Sequence, residues 1–341
     1  MKILVVASSM VHIKNFHLPY IEELSKRGNS VDVMANGEGA DINIPFKKRA
    51  FSFKNFILSF KIRRYLRKNN YDAVYLHTTL AAFWTRFAMW GLKKRPTVIN
   101  TVHGYLFSSH SSKLKRAVYL LAERLMRKRT DHIVVMNKED YDIAIENKLC
   151  KGEVAFIHGM GVSQSRLPEP TPRARTGDTR NLVFVGEISR RKNQIFLVKA
   201  LKELENAHLT LVGDGDERKN IEKYAKKHNL QNRITVTGFT KGVNEQLARA
   251  DIYVSASMIE GLPFNIIEAM NMHLPIVASD IKGHRELLPS ECLYPLNDMD
   301  AFVSRVNDIV CEEKAYDFEK YKLDAVISQN VDMYLGLCQN K

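Results

Sequence analysis

The chain has 341 residues, of which 45% are hydrophobic and 26% charged, long enough for two domains and ordinary for a folded globular protein. Its four cysteines, Cys150, Cys292, Cys311 and Cys338, share no short spacing, which argues for reduced thiols in a cytoplasmic protein and against a disulfide framework or zinc site. The formal charge of +13 is one-sided: residues 1–170 carry twice as many basic as acidic side chains, a footprint suited to membrane lipid, nucleic acid or a phosphorylated acceptor.

The chain opens on a short strand, Lys2–Ala7, too brief for a signal-peptide core. Further strands are expected near Ser30–Ala35, Ala73–Leu76, Val98–Thr101, His132–Val135 and Val154–Ile157, separated by amphipathic stretches of helical length. Two of those stretches interleave aromatic and basic residues, Phe53 to Lys68 and Leu80 to Arg95, and suit an anionic interface as well as they suit a core-facing stripe with a solvated basic back. The longest apolar candidate, Leu80 to Leu92, is interrupted by Arg86 and falls short of the ~20 residues a bilayer span needs. Gly159 and Gly161 read as a flexible crossing into a linker over 167–180, marked by Pro168, Pro170 and Pro172.

Six more strands follow, near Asn181–Val185, Leu209–Val212, Ile234–Thr237, Ile252–Ser255, Ile276–Ala278 and Cys292–Tyr294. Six strand–helix units on each side of a proline-rich break predict two doubly wound α/β domains, 1–166 and 181–315, and not one closed barrel. The last segment, from about Tyr316, has apolar residues at helical spacing.

Ligands of such sheets bind beyond the carboxyl ends of the strands, so residues just after strands are the candidates. Arg190, Arg191 and Lys192 follow a strand and Gly186. Glu260 and Glu268 stand eight residues apart around Gly261-Leu262-Pro263-Phe264-Asn265, where a strand ends and a proline begins a helix. That arrangement suits a diphosphate near the helix start and hydroxyls bound by two carboxylates. Asp214-Gly215-Asp216 tempts a metal reading, but its place between strand and helix makes Asp216 an expected N-cap. His103-Gly104 and the segment His12 to Phe16 occupy strand-end positions in the first domain.

The Glu-x7-Glu run, in register with Val212-Gly213-Asp214-Gly215, Val236-Thr237-Gly238-Phe239, Arg249-Ala250-Asp251-Ile252 and Leu274-Pro275-Ile276-Val277-Ala278-Ser279-Asp280, resembles the donor signature of the family-4 glycosyltransferases, across most of the chain. The start, His12-Ile13-Lys14-Asn15-Phe16-His17-Leu18-Pro19-Tyr20, resembles the branch that builds capsular and exopolysaccharides or other lipid-linked glycans. The resemblance implies the GT-B fold, two Rossmann-like domains facing a central cleft, with the residues after about 316 crossing back to the first. It implies a retaining transfer from a nucleotide-sugar, most readily a UDP-sugar, with no metal and no other cofactor. Arg191 and Lys192 would then meet the diphosphate, Glu260 and His103 the sugar, and Glu268 the ribose. Gly186, Gly238, Phe239, Gly261, Leu262, Phe264 and Asn265 would complete the donor pocket, with Gly238 and Phe239 at the base. This chain departs from the family at Glu187, where an arginine is usual, and at His12 and Lys14, where many relatives have two glycines. His12 and Phe16 are therefore assigned to the acceptor side. The implied partners are the donor and a glycan or lipid-linked acceptor; the one-sided charge of the first domain tips the reading of its two basic stretches towards an anionic membrane surface, at the inner face. Two other readings compete, a nucleotide-sugar 2-epimerase of the same fold and a non-catalytic subunit or nucleic-acid binder, although no nucleic-acid module signature is present.

Overall fold

A computed structural model describes residues 1–47, 52–167, 178–240 and 242–339. It divides into two compact units, Met1–Gly161 with Lys320–Lys341, and Val162–Glu319. Arg166 thus falls in the second unit and not the first, and of the expected linker 167–180, residues 168–177 lie outside the described residues.

In chain order the first unit contains β1 (Lys2–Val6), α1 (Met10–Phe16), α2 (Leu18–Lys26), β2 (Ser30–Ala35), β3 (Ile42–Asn43), α3 (Phe53–Asn69), β4 (Ala73–His77), α4 (Thr79–Ala88), β5 (Thr97–Val102), α5 (Lys113–Met126), β6 (His132–Val135), α6 (Lys138–Glu146) and β7 (Val154–Phe156). The second contains β8 (Arg180–Val185), α7 (Gln194–Ala200), β9 (Ala207–Val212), α8 (Arg218–Lys227), β10 (Ile234–Gly238), α9 (Val243–Ala248), β11 (Ile252–Ser255), α10 (Phe264–Asn271), β12 (Ile276–Ser279), α11 (Lys282–Arg285), β13 (Leu293–Tyr294) and α12 (Met299–Asp308). The last helix, α13 (Leu323–Gln339), returns to the first unit.

Each unit is built on one parallel sheet, ordered β3-β2-β1-β4-β5-β6-β7 in the first and β10-β9-β8-β11-β12-β13 in the second. The central strands β4, β5, β11 and β12 are buried at every residue, as parallel strands covered on both faces must be. Most of their side chains are apolar or β-branched, with His77, Asn100, Ser255 and Ser279 as buried polar exceptions. The strand order reverses between β1 and β4 in one sheet and between β8 and β11 in the other. At each reversal the loops leave in opposite directions and open a crevice at the carboxyl ends of the strands.

Packing decides one open reading and corrects two expectations. Arg86 is fully buried, with Nη1 and Nη2 donating to Glu123 at 2.8 and 3.1 Å and Nη1 also to Thr130 Oγ1 at 3.1 Å. With Ala81, Ala82 and Trp84 also buried, α4 is a core helix between α3 and α5; of the aromatics Trp84, Phe87 and Trp90 in the stretch Leu80 to Arg95, Trp90 alone is exposed. Gly161 is a close-packing residue: at φ +75° a Cβ there would lie 2.5 Å from Leu323 Cα, so the glycine lets α13 begin against it. Asp216 does not cap α8, whose cap position is Glu217 with no side-chain bond.

α13 is held in the first unit by a stacked Tyr75–Tyr334 pair with ring centroids 5.0 Å apart, a 2.7 Å bond between Thr101 Oγ1 and Tyr334 Oη, and Asn330 Nδ2 donating to Tyr20 Oη and the Gly159 carbonyl.

Candidate functional site

In the second unit the loops after β8 and β11 flank the reversal of strand order. The Met258 N–H donates to the Arg191 carbonyl at 2.9 Å and joins the two loops. Three side chains meet there. Lys192 Nζ lies 2.7 Å from Glu260 Oε1, and Arg191 Nη1 lies 3.0 Å from Oε2 and donates also to the Ile259 carbonyl. Burial raises the Glu260 pKa, yet Lys192 and Arg191 outweigh it and hold the group down at about 2. Two cations against one carboxylate leave a unit of positive charge at the crevice. Arg190, by contrast, points to solvent and pairs with Glu217 at 2.9 Å.

Backbone geometry holds these loops together. A Cβ on Gly213 would sit 2.0 Å from the Gly186 carbonyl oxygen, and one on Gly215 2.2 Å from that of Ile188, so the turns after β8 and β9 touch only because both positions are glycine at positive φ. Asn265 Nδ2 donates to the Val185 carbonyl at 2.7 Å and ties the start of α10 to the end of β8. Gly283 supports the loop from below: its Cβ would fall 2.8 Å from Glu260 Cβ and 2.9 Å from the Gly261 carbonyl. Behind it His284 is buried, with Nδ1 2.7 Å from the Ser279 carbonyl, and burial lowers its pKa to about 4.

Glu268, in the middle of α10, is buried. Its Oε1 lies 3.1 Å from Nη2 of Arg166, whose guanidinium also sits 5.5 Å from the Phe264 ring centre. Burial raises the Glu268 pKa, and Arg166 works against the rise. Gly261 and Leu262 lie half-buried between the two carboxylates. At the edge strand β10, Gly238 is buried at φ +70° while Phe239 is 87% exposed and presents its ring to solvent. Arg166, Gly283 and His284 were not read from the sequence. Arg166 precedes the proline-rich break, far from its partner along the chain, and carries no local signal.

In the first unit His103 does not stand alone. It meets His12, His17 and His77 at the reversal between β1 and β4: ring centroids lie 5.0 Å apart for His12–His17 and His12–His103, 5.3 Å for His17–His103 and 3.8 Å for His17–His77. His77 Nδ1 is 3.2 Å from His103 Nε2. Phe16 covers one side, 4.9 Å from His12. Burial depresses all four imidazoles, His12 to about 4 and His77 to about 3, so they are neutral at physiological pH. The expected His12, Phe16 and His103 are therefore contiguous, and His17 and His77 complete the group.

Two parallel doubly wound units of this kind define the GT-B fold. Sucrose-phosphate synthase from Thermosynechococcus elongatus shares it, with a TM-score of 0.77 at 17% identity over 100% of both chains. Residues 20–160 match the family described as Glycosyltransferase Family 4, and residues 179–312 that described as Glycosyl transferases group 1. The chain is a glycosyltransferase, with a Family 4 domain in its first half and a group 1 domain in its second. The putative glycosyltransferase EpsD of Bacillus subtilis is 29% identical over 331 residues, 90% of this chain and 87% of that one. A UDP-Gal:alpha-D-GlcNAc-diphosphoundecaprenol alpha-1,3-galactosyltransferase of Escherichia coli is 28% identical over 279 residues, 75% and 70% of the two chains. These matches are to transferases and do not favour the 2-epimerase reading.

Proposed function

We propose that the chain moves a hexosyl or N-acetylhexosaminyl group from a UDP-sugar to a lipid-linked glycan in cell-surface polysaccharide synthesis, with retention of anomeric configuration. The observation that carries this reading is the Arg191–Lys192–Glu260 triad at the strand-order reversal of the second sheet, with Glu268 further along the same strand–helix unit. The uridine donor and the diphosphate-lipid acceptor follow the name of the E. coli relative.

Arg191 and Lys192 are assigned to the departing diphosphate. Charge that develops on it is met by groups already fixed against Glu260, which lowers the reorganisation required during transfer. In this half the diphosphate is assigned to side-chain cations and not to a metal ion. Glu260 has two roles, orienting the cations and accepting hydrogen bonds from the sugar with His103. Glu268 accepts from the ribose, for which Arg166 must yield one carboxylate edge. Gly186, Gly261, Leu262, Phe264 and Asn265 shape the diphosphate and sugar pocket, and Gly238 and Phe239 the base platform. His12 and Phe16 face the acceptor.

Peripheral attachment to an anionic membrane completes the proposal. No helix among the described residues is long and apolar enough to cross a membrane. The structure supports two surface stripes. On α3, Phe53, Phe56, Ile57 and Phe60 are exposed, and on α5 so are Leu114, Val118, Leu121 and Leu125 at i, i+4, i+7 and i+11. Tyr119 and Leu120 anchor α5 to the core, so the leucine stripe is left outward beside Lys113, Lys115, Arg116 and Arg124.

Thermal-shift measurement with UDP-, GDP- and ADP-sugars tests the donor assignment, the UDP-sugar being expected to give the largest shift. Glu260→Ala should abolish transfer to a diphosphate-lipid acceptor while keeping the fold, and the product's anomeric coupling should match the donor's. A larger response to GDP- or ADP-sugars, or transfer undiminished in Glu260→Ala, rejects the corresponding assignment.

A further inference from the structure

The histidine group of the first unit has more nitrogen atoms than partners. His17 is 1% exposed, yet neither its Nδ1 nor its Nε2 has a hydrogen-bond partner, and His12 Nε2 is likewise buried without one. Leaving such groups unpaired costs about 1–3 kcal/mol each, so a fold that gathers them does so against its own stability. Nitrogen atoms of His12, His17 and His103 lie within 4.8 Å of one another, the one such ligand group among the described residues.

The backbone is built to bring them together. Ser9 caps α1 by accepting the His12 N–H, and His17 is the shared joint at which α1 ends and α2 begins, so the chain turns there and the rings of His12 and His17 come within 5.0 Å, tilted by 50°. Thr78, directly after His77, is held at φ +68°, which a β-branched residue adopts only under constraint. Its Oγ1 bonds the Ser8 N–H at 3.0 Å and Ser8 Oγ at 2.6 Å, pinning the ends of β1 and β4 side by side.

We propose that His12, His17 and His103 bind one divalent transition-metal ion of the zinc class, with His77 orienting His103 from behind. Three neutral imidazoles are a donor set that suits zinc, whose ~2.0–2.1 Å bonds to nitrogen leave the fourth tetrahedral position to an oxygen ligand. Closure from the present spacing requires rotation of the side chains by about 1 Å at the nitrogens, since a tetrahedral ion separates its ligands by ~3.4 Å. The 3.2 Å contact from His77 to His103 supplies the kind of outer bond that fixes a ligating ring. His12 and His103 are half-buried, so the fourth position is reachable from outside. The assignment departs from the expectation of a metal-free protein. It takes His103 and His12 as metal ligands in place of the direct sugar and acceptor contacts assigned above, and its failure would leave the assignment of the donor to Arg191, Lys192, Glu260 and Glu268 intact.

The test is zinc titration of the tag-free, EDTA-stripped full chain against a chromophoric chelator, with cobalt(II) as a spectroscopic probe. One equivalent of zinc and the intense visible bands of tetrahedral cobalt are expected. Affinity should fall at least about tenfold in His12→Ala and in His77→Ala, and stay unchanged in His228→Ala, a half-buried histidine of the second unit outside this group. His17→Ala should remove binding. If that variant does not fold, the half-buried His12→Ala decides the matter, with thermal melting as the check on structure. Less than a tenth of an equivalent bound, or equal affinity in His12→Ala and the parent, would mean a pocket satisfied by water alone and would overturn the proposal.

Discussion

Glu260 is drawn in two directions, and the balance gives it a measurable pH signature. Burial opposes its charge, while Lys192 and Arg191 hold its pKa at about 2 against an ordinary 4.5. A depressed carboxylate contributes stability that is fully present above the unfolded value and lost as pH falls through the folded one. The window is therefore from about 4.5 down to about 2, and the amount is on the order of 3 kcal/mol. Glu268, whose pKa is raised, has the opposite sign and loses stability as pH climbs past the ordinary value. Comparing the parent with Glu260→Gln cancels that background. The variant leaves Lys192 buried and unpaired, so at pH 7 denaturant unfolding should show a loss of about 3 kcal/mol, narrowing between pH 5 and 3. A gap of constant size across that range would show that the triad does not govern Glu260's ionisation. The residue types here were legible in the sequence, since Arg191 and Lys192 follow one strand and Glu260 another. Their pairing was not, because Arg191 and Lys192 are far from Glu260 along the chain and meet it only where β8 and β11 lie side by side.

At the scale of elements, the site depends on how closely α11 approaches the loop after β11. Gly283 does not have a positive φ, so alanine is acceptable to its backbone, and the constraint is space alone: the added Cβ would meet Glu260 Cβ at 2.8 Å. Gly283→Ala should cost about 1–3 kcal/mol through overpacking and shift Glu260 off its cations, with UDP-sugar affinity weakened about tenfold or more by calorimetry. Gly336→Ala in α13, where nothing lies within 4 Å, should instead stabilise by ~0.5–1 kcal/mol and leave affinity unchanged. Equal donor affinity in both variants would remove α11 from the site. Strand–helix alternation revealed twelve of the thirteen strands among the described residues, because parallel strands buried on both faces read as continuous apolar runs. β3 was missed because two residues carry no period. α4 was left open between an interface and a core-facing stripe, because the partner that buries Arg86, Glu123, belongs to the next helix and is far along the chain.

For the whole molecule, the separation of charge between the two halves of the sequence sets a condition on where the protein binds. The basic excess lies in residues 1–170, in the unit that also exposes the stripes of α3 and α5. Phe53 and Leu114 are 75% and 76% exposed, an expense in water that insertion into a lipid interface would recover at ~1.5–3 kcal/mol per large apolar side chain. Basic side chains near an anionic surface add ~1 kcal/mol each, over a reach of ~10 Å at 0.1 M salt that shrinks to ~3 Å at 1 M. The two contributions separate in experiment. Co-sedimentation with phosphatidylglycerol vesicles should fall steeply between low and high salt, because raising salt screens the charges and leaves the leucines untouched. Replacing Leu114 and Leu121 together by Gln should weaken binding by about tenfold or more at every salt concentration, without altering the salt slope. Lys115→Gln with Arg116→Gln should flatten the slope instead. Binding to uncharged phosphatidylcholine vesicles as tight as to anionic ones would show that the basic half serves another partner, and no sedimentation at low salt would leave both stripes without a membrane role.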